Sequence, residues 1–490
     1  MKKLVQVSIA ALVLLMTGYA SASAVVTKAD DPLRFDPKRK STDQTLTFLD
    51  GKIVKYRAYE MIYYVANVVD STYQYLNVYI PESAYATTSK TPIFLRTYVG
   101  GYFSSKASAP SNTDASGRAL QAGYVLVIPG ARGWNAKVTK PDASTLHVGK
   151  APAGIVDLKA AVRYLRYNDA RMPGDAERII TDGTSAGGAM SSLLGATGNH
   201  PAYEPYLQTL GAANARDDVF ATVAYCPIID LEHADMTYEW LYSGTNTGPR
   251  SLTASAQLAV SSELAAQFPA YMSSLGLKMP NGTPLTADTY RDYLKSFLIK
   301  SAQQARNAGA EIPASTGVKF NPGFRGGPGE FVVDIDLDAY LNYLVAKNPL
   351  KAPPAFDKMG VVSPDDTPEN QLFGDATGRS ANFTDFSVRK VSGNASATVD
   401  KATKDRVYLL NPMPFIGDPK ATTAKHWFIR HGAADRDTGF PIPVNLYTKL
   451  VNKGFDVNFA LPWNRPHSGD YNLDDAFAWI DQVVKAAEKR

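Results

Sequence analysis

One serine stands out by its neighbours. Gly183-Thr184-Ser185-Ala186-Gly187 is a G-x-S-x-G pentapeptide. The strand-like run Arg178-Ile179-Ile180-Thr181-Asp182 leads into it, and helix-forming residues resume behind it at Ala186. A sharp strand-to-helix turn of this kind strains the serine backbone and presents its hydroxyl at the edge of a sheet. Gly183 and Gly187 remove side chains where the chain must pass close to itself. The Ala186 amide then lies at a helix start, where N–H groups are free and negative charge is favoured. It is a natural half of an oxyanion hole. The other half is expected from Gly100 or Gly101, in the glycine pair that ends the strand Pro92–Val99.

A serine hydroxyl becomes a nucleophile when a base takes its proton and a carboxylate orients that base. The chain order for this turn is serine, acid, histidine. Of six histidines, His426, His431 and His467 lie late enough. His426 and His431 fall within a strand and are expected to be structural. His467, in Asn464-Arg465-Pro466-His467-Ser468-Gly469 between the last strand and the last helix, is the candidate base. Ala433-Ala434-Asp435-Arg436-Asp437 follows the preceding strand. Asp435 is the candidate acid, and Asp437, projecting differently, is assigned to substrate.

The elements that must position these groups alternate. Leu76–Ile80, Pro92–Val99, Tyr124–Gly130, Arg178–Asp182, Val219–Cys226, His426–Gly432 and Val457–Ala460 have strand patterns. Gly154–Asn168, Pro443–Asn452 and Asp474–Lys489 have helical spacing. Alternation of this kind builds a mostly parallel sheet with helices on both faces. From about Ala234 to Asp405 it breaks down, although Ala254–Phe268 and Tyr290–Gln304 read as helices. That stretch is read as an insertion capping the sheet. The expected organisation is a signal peptide over 1–24, core over 25–233, an inserted cap or lid over 234–405 and core again over 406–490. Tyr238, Trp240 and Tyr242 could form an aromatic wall in the cap or pack in the core.

Composition sets the outer bounds. The 490 residues are 45% hydrophobic and 20% charged, ordinary for a globular chain. A formal net charge of +4, from 51 basic and 47 acidic residues, gives no electrostatic footprint for nucleic acid. Cys226 is the only cysteine, so an intrachain disulfide cannot form and a cysteine-built zinc site is disfavoured. Met1-Lys2-Lys3, an apolar run to Met16 and small residues through Ala24 have the order of a secretory signal peptide. The apolar run is shorter than the roughly 20 residues a bilayer requires. The expectation is a secreted or periplasmic protein without a membrane anchor.

Gly183-Thr184-Ser185-Ala186-Gly187-Gly188, Arg430-His431-Gly432-Ala433-Ala434-Asp435-Arg436-Asp437 and Pro466-His467-Ser468-Gly469-Asp470-Tyr471 together resemble the bacterial tannases, the tannin acyl hydrolases. The resemblance extends over most of the chain, including Tyr98-Val99-Gly100-Gly101. It implies an α/β-hydrolase fold with a large inserted cap, and a serine esterase acting on galloyl or other phenolic esters. It also implies that Asp435 completes the triad and that Asp437 binds ring hydroxyls. Within the stretches Lys351–Asp357 and Glu369–Gly374, it implies further substrate contacts from Glu369 and from Lys351 or, second, Lys358. The chemistry so described is acyl transfer through an acyl-enzyme, with no metal or organic cofactor. The competing readings are a feruloyl esterase or broad carboxylesterase, a serine peptidase of the same fold, and a non-catalytic hydrolase-like binding protein.

Overall fold

The computed structural model describes residues 31–85, 91–245, 254–321, 331–359 and 367–489. The expected signal peptide lies outside these residues. Nine strands form one sheet: β1 (Thr42–Thr47), β2 (Ile53–Tyr63), β3 (Tyr75–Pro81), β4 (Pro92–Arg96), β5 (Val125–Pro129), β6 (Asp175–Thr184), β7 (Ala221–Tyr225), β8 (His426–Arg430) and β9 (Asp456–Ala460). Their spatial order is β1-β2-β3-β5-β4-β6-β7-β8-β9. The pairings β1–β2, β2–β3 and β3–β5 are antiparallel, and all those from β5 onward are parallel. The parallel strands β4, β5 and β7 are buried along their whole length, because helices cover both faces.

Side-chain alternation divides the core. Ile93 and Leu95 of β4 join a cluster with Ile155, Leu158 and Leu193, while Phe94 faces the opposite cluster with Ala119, Phe477 and Ile480. The helices Ala153–Tyr167 and Ala186–Ala196 cover one face; Ala115–Gln121 and Leu473–Glu488 cover the other. The Phe94 and Phe477 rings stack with centroids 5.4 Å apart.

Register aligns the strand ends. Arg96 pairs with Asp182, Thr184 with Tyr225, Tyr225 with Arg430, and Arg430 with Ala460. The loops that leave β4, β6, β8 and β9 therefore emerge along one edge, the carboxyl edge where open parallel sheets carry their ligands.

Between β7 and β8 the described chain adds helices and one small antiparallel pair, Val318–Phe320 with Val332–Ile335, but no strand of the main sheet. Its buried side chains, among them Phe268, Tyr290, Leu298 and Tyr340, belong to the same cluster as Ile93 and Leu193. The expected helix over Ala254–Phe268 is two, Ala254–Ala265 and Phe268–Leu275, with Pro269 in the first turn of the second. Tyr238 and Tyr242 are fully buried, and Trp240 stacks on Phe268 at 4.0 Å. These aromatics are core packing, not a ligand wall. Among the described residues, no helix is long and apolar enough to cross a membrane.

Candidate active site

Ser185 sits between β6 and the helix Ala186–Ala196 with φ +62° and ψ −122°, a conformation unfavourable to any residue with a side chain. Its surroundings over-determine that strain. The Ser185 amide donates to the Tyr225 carbonyl at 2.9 Å, and its carbonyl accepts from Ala189 at 2.9 Å. A Cβ on Gly183 would overlap the Gly187 carbonyl, and one on Gly187 would stand 2.8 Å from the Val99 carbonyl oxygen. The two glycines are thus required by close backbone passage, and the second brings the loop after β4 against the turn. In that loop Gly101 has φ +53°, and its carbonyl is held by Trp134 Nε1 at 3.1 Å.

Three distant side chains meet at this point. His467 Nε2 lies 2.9 Å from Ser185 Oγ, and His467 Nδ1 lies 2.8 Å from Asp435 Oδ2. Asp435 is fully buried, and its other oxygen accepts the Asp437 amide at 2.8 Å. Burial opposes the charge on Asp435, but His431, His467 and that amide hold its carboxyl far below the ordinary range. Burial also opposes a charged His467, yet the hydrogen bonds and charges of Asp435 and, beside it, Cys226 outweigh it and hold the imidazole above the usual histidine range. In its neutral form an imidazole so placed can accept the serine proton, and the carboxylate that favours its charge stabilises the resulting cation.

The loops bearing the acid and the base are locked together. Ala433 donates its amide to the Pro462 carbonyl and Ala434 to the Arg465 carbonyl, both at 2.9 Å. Gly469 packs on the residue before the serine: a Cβ there would overlap Thr184 Oγ1. Gly469→Ala is expected to displace the histidine loop and lower kcat about 10²-fold. It should also cost roughly 1–3 kcal/mol of stability. Ester hydrolysis rates and a urea unfolding midpoint measure the two.

Beneath the loops lies a charged group that sequence reading missed. Arg96, at the end of β4, pairs with Asp182 of β6, and with Asp470 of the histidine loop at 2.9 Å and 2.5 Å. Asp114 stands 3.8 Å away. Burial raises both the Asp182 and Asp470 carboxyls against the pull of the single guanidinium. The signal was an arginine and an aspartate inside otherwise apolar strands, where charge is tolerated only when paired. Arg96→Met leaves two carboxylates facing each other and is expected to cost about 3 kcal/mol, read from urea unfolding.

A second group of predicted residues converges beside Ser185, His467 and Asp435. Lys351 Nζ donates to the Asp437 carbonyl at 2.8 Å. The Asp437 carboxylate accepts from Arg436 at 3.1 Å and lies 3.8 Å from His467 Nδ1. Burial raises the Glu369 carboxyl, and the charge of nearby Lys351 pulls it back. Glu369 in turn neighbours buried Tyr102, whose phenol burial pushes up, with the Glu369 charge adding to it. Two buried carboxylates fix this wall. Asp235 accepts the amides of Ala355, Phe356 and Asp357 at 2.5–2.9 Å, and Asp357 accepts from Asn370 and Asn382 at 2.8 Å. Lys358 does not join the group: its side chain is exposed, and its backbone amide bonds Asn370 at 3.0 Å.

The chain as a whole has counterparts among known proteins. The family model described as BD-FAE matches residues 76–271. Tannase of Fusobacterium nucleatum is 39% identical with a TM-score of 0.82, covering 92% of this chain and 99% of that one. A tannin acyl hydrolase in complex with ethyl gallate is 39% identical with a TM-score of 0.81, covering 93% and 100%. Esterase LipQ of Mycobacterium tuberculosis is 34% identical over 90 residues, 18% of this chain. The chain spans about a fifth of the curated esterases it matches, 20% of LipQ. Near-complete mutual coverage at this identity and TM-score makes the chain a member of the bacterial tannase family, carboxylic-ester hydrolases of the α/β-hydrolase fold.

Proposed function

We propose that this chain is a secreted serine esterase that hydrolyses galloyl esters to gallate and an alcohol. The observation that carries the reading is the continuous line from Asp435 through His467 to Ser185, at 2.8 Å and 2.9 Å. His467 takes the serine proton as Ser185 attacks the ester carbonyl. The Ala186 amide, together with that of Gly101 or Gly100, holds the developing oxyanion. Each such donor is worth about 3 kcal/mol of transition-state stabilisation. The alcohol departs with the proton from His467, and water repeats the sequence to free the acid.

Asp437, Glu369 and Lys351 support galloyl preference. Carboxylates accept hydrogen bonds from ring hydroxyls and an ammonium donates one. A relative of the same fold, matched over its whole length, carries ethyl gallate, which fits this reading. The basic start, apolar run and small residues over 1–24 support export. A panel of methyl gallate, methyl ferulate, an aryl acetate and an aminoacyl amide tests the proposal. Methyl gallate should have the highest kcat/KM by at least about 10²-fold. Equal turnover of gallate and acetate esters would instead indicate a broad carboxylesterase, preference for ferulate a feruloyl esterase, and preference for the amide a peptidase.

A further inference from the structure

Asp435 has a second imidazole beside it. His431, directly after β8, is fully buried, and its Nδ1 lies 3.5 Å from Asp435 Oδ2. Neither ring nitrogen of His431 forms a hydrogen bond among the described residues. A buried imidazole held by a carboxylate 3.5 Å away and a neighbouring thiol, with no hydrogen bond of full geometry, is less well satisfied than one in a regular pair, so its retention calls for a reason. Next to it is Cys226, directly after β7, also fully buried, with φ +43°. Its sulfur lies 3.3 Å from the Ser468 carbonyl oxygen and 3.4 Å from the Tyr471 hydroxyl. One ligand atom each from Cys226, His431 and Asp435 all lie within 4.8 Å of one another.

Thiol, imidazole and carboxylate form a donor set suited to thiophilic d¹⁰ cations. In a tetrahedral site with bonds of about 2.0–2.3 Å, ligand atoms stand about 3.5 Å apart. The three groups would have to close by roughly 1 Å to reach that arrangement. We propose that Cys226, His431 and Asp435 form an inhibitory site for a soft divalent cation. On binding, the Cys226 S–H bond breaks, its proton passes to solvent and a sulfur–metal bond forms; no electron changes hands. The metal recruits the Asp435 carboxylate away from His467 Nδ1, so the base loses its orienting partner and turnover falls. The cation is a brake, not a resident cofactor. Metal binding stands on these three residues alone, whereas the loss of turnover rests on the esterase reading above.

Cadmium is the probe. Titrating Cd²⁺ into the full chain should produce the ultraviolet thiolate-to-cadmium charge-transfer band. Methyl gallate hydrolysis should fall in parallel and return on adding EDTA. Cys226→Ser should abolish the band and raise the half-inhibiting Cd²⁺ concentration at least about tenfold, each inhibition curve being scaled to that variant's own metal-free rate. His431→Asn should keep the band but require about 10–100-fold more metal to fill it. Unchanged inhibition of Cys226→Ser, or a full band with undiminished hydrolysis, overturns the proposal. A chain that shows the band but never hydrolyses methyl gallate would sink the esterase reading and leave the metal site standing.

Discussion

Ser185→Ala is expected to lower kcat for methyl gallate at least about 10⁴-fold, the scale on which removing a triad nucleophile acts. Alanine meets the same backbone strain as serine at φ +62°, so the change neither relieves nor adds to it. Only the bond from Ser185 Oγ to His467, 2.9 Å long, is removed from the folded protein. Stability should therefore stay within about 1 kcal/mol of the parent. Kinetics and thermal unfolding on the same preparation distinguish the cases. A lost rate with an intact transition assigns the chemistry to the hydroxyl, and a retained rate removes Ser185 as nucleophile.

The second large effect concerns choice of acid. Asp437→Asn keeps the main-chain amide that braces Asp435 and the carbonyl that holds Lys351. It replaces one charged acceptor with a neutral group that also donates. Against a galloyl ester, kcat/KM should fall about 10²-fold, since a hydrogen bond to a charged partner is worth roughly 1.5–3 kcal/mol. Against an aryl acetate, which has no ring hydroxyls on its acyl side, the change should be less than about threefold. Equal losses on both substrates would show that Asp437 acts through His467, 3.8 Å away, and not on the ring.

Much of this was legible in the residues because the signals were local. The buried strands read as continuous apolar runs, and Gly183-Thr184-Ser185-Ala186-Gly187 carries its own backbone requirement in its glycines. Chain order singled out Asp435 and His467 because each follows a strand, and strand ends in register share one edge. The edge strand β1 and its neighbour β2 were missed. They are amphipathic and partly exposed, and their pairing is decided by neighbours rather than by their own pattern. His431 was set aside as structural because nothing local shows that strand register delivers it to the same carboxylate as His467. Lys351 and Lys358 could not be separated by charge alone. The backbone anchoring of Ala355–Asp357 on Asp235 turns one inward and leaves the other outside.

The described segment between β7 and β8 shares its apolar interior with the sheet, and Tyr340 within it donates to the Ala433 carbonyl at 2.6 Å. A segment rooted in this way cannot swing open as a hinged door, because opening would drag Phe268, Tyr290 and Leu298 into water at about 1.5–3 kcal/mol for each side chain. Admission of ester and release of acid would then rest on side-chain rotamer changes around Ser185, small local motions rather than the swing of a whole lobe.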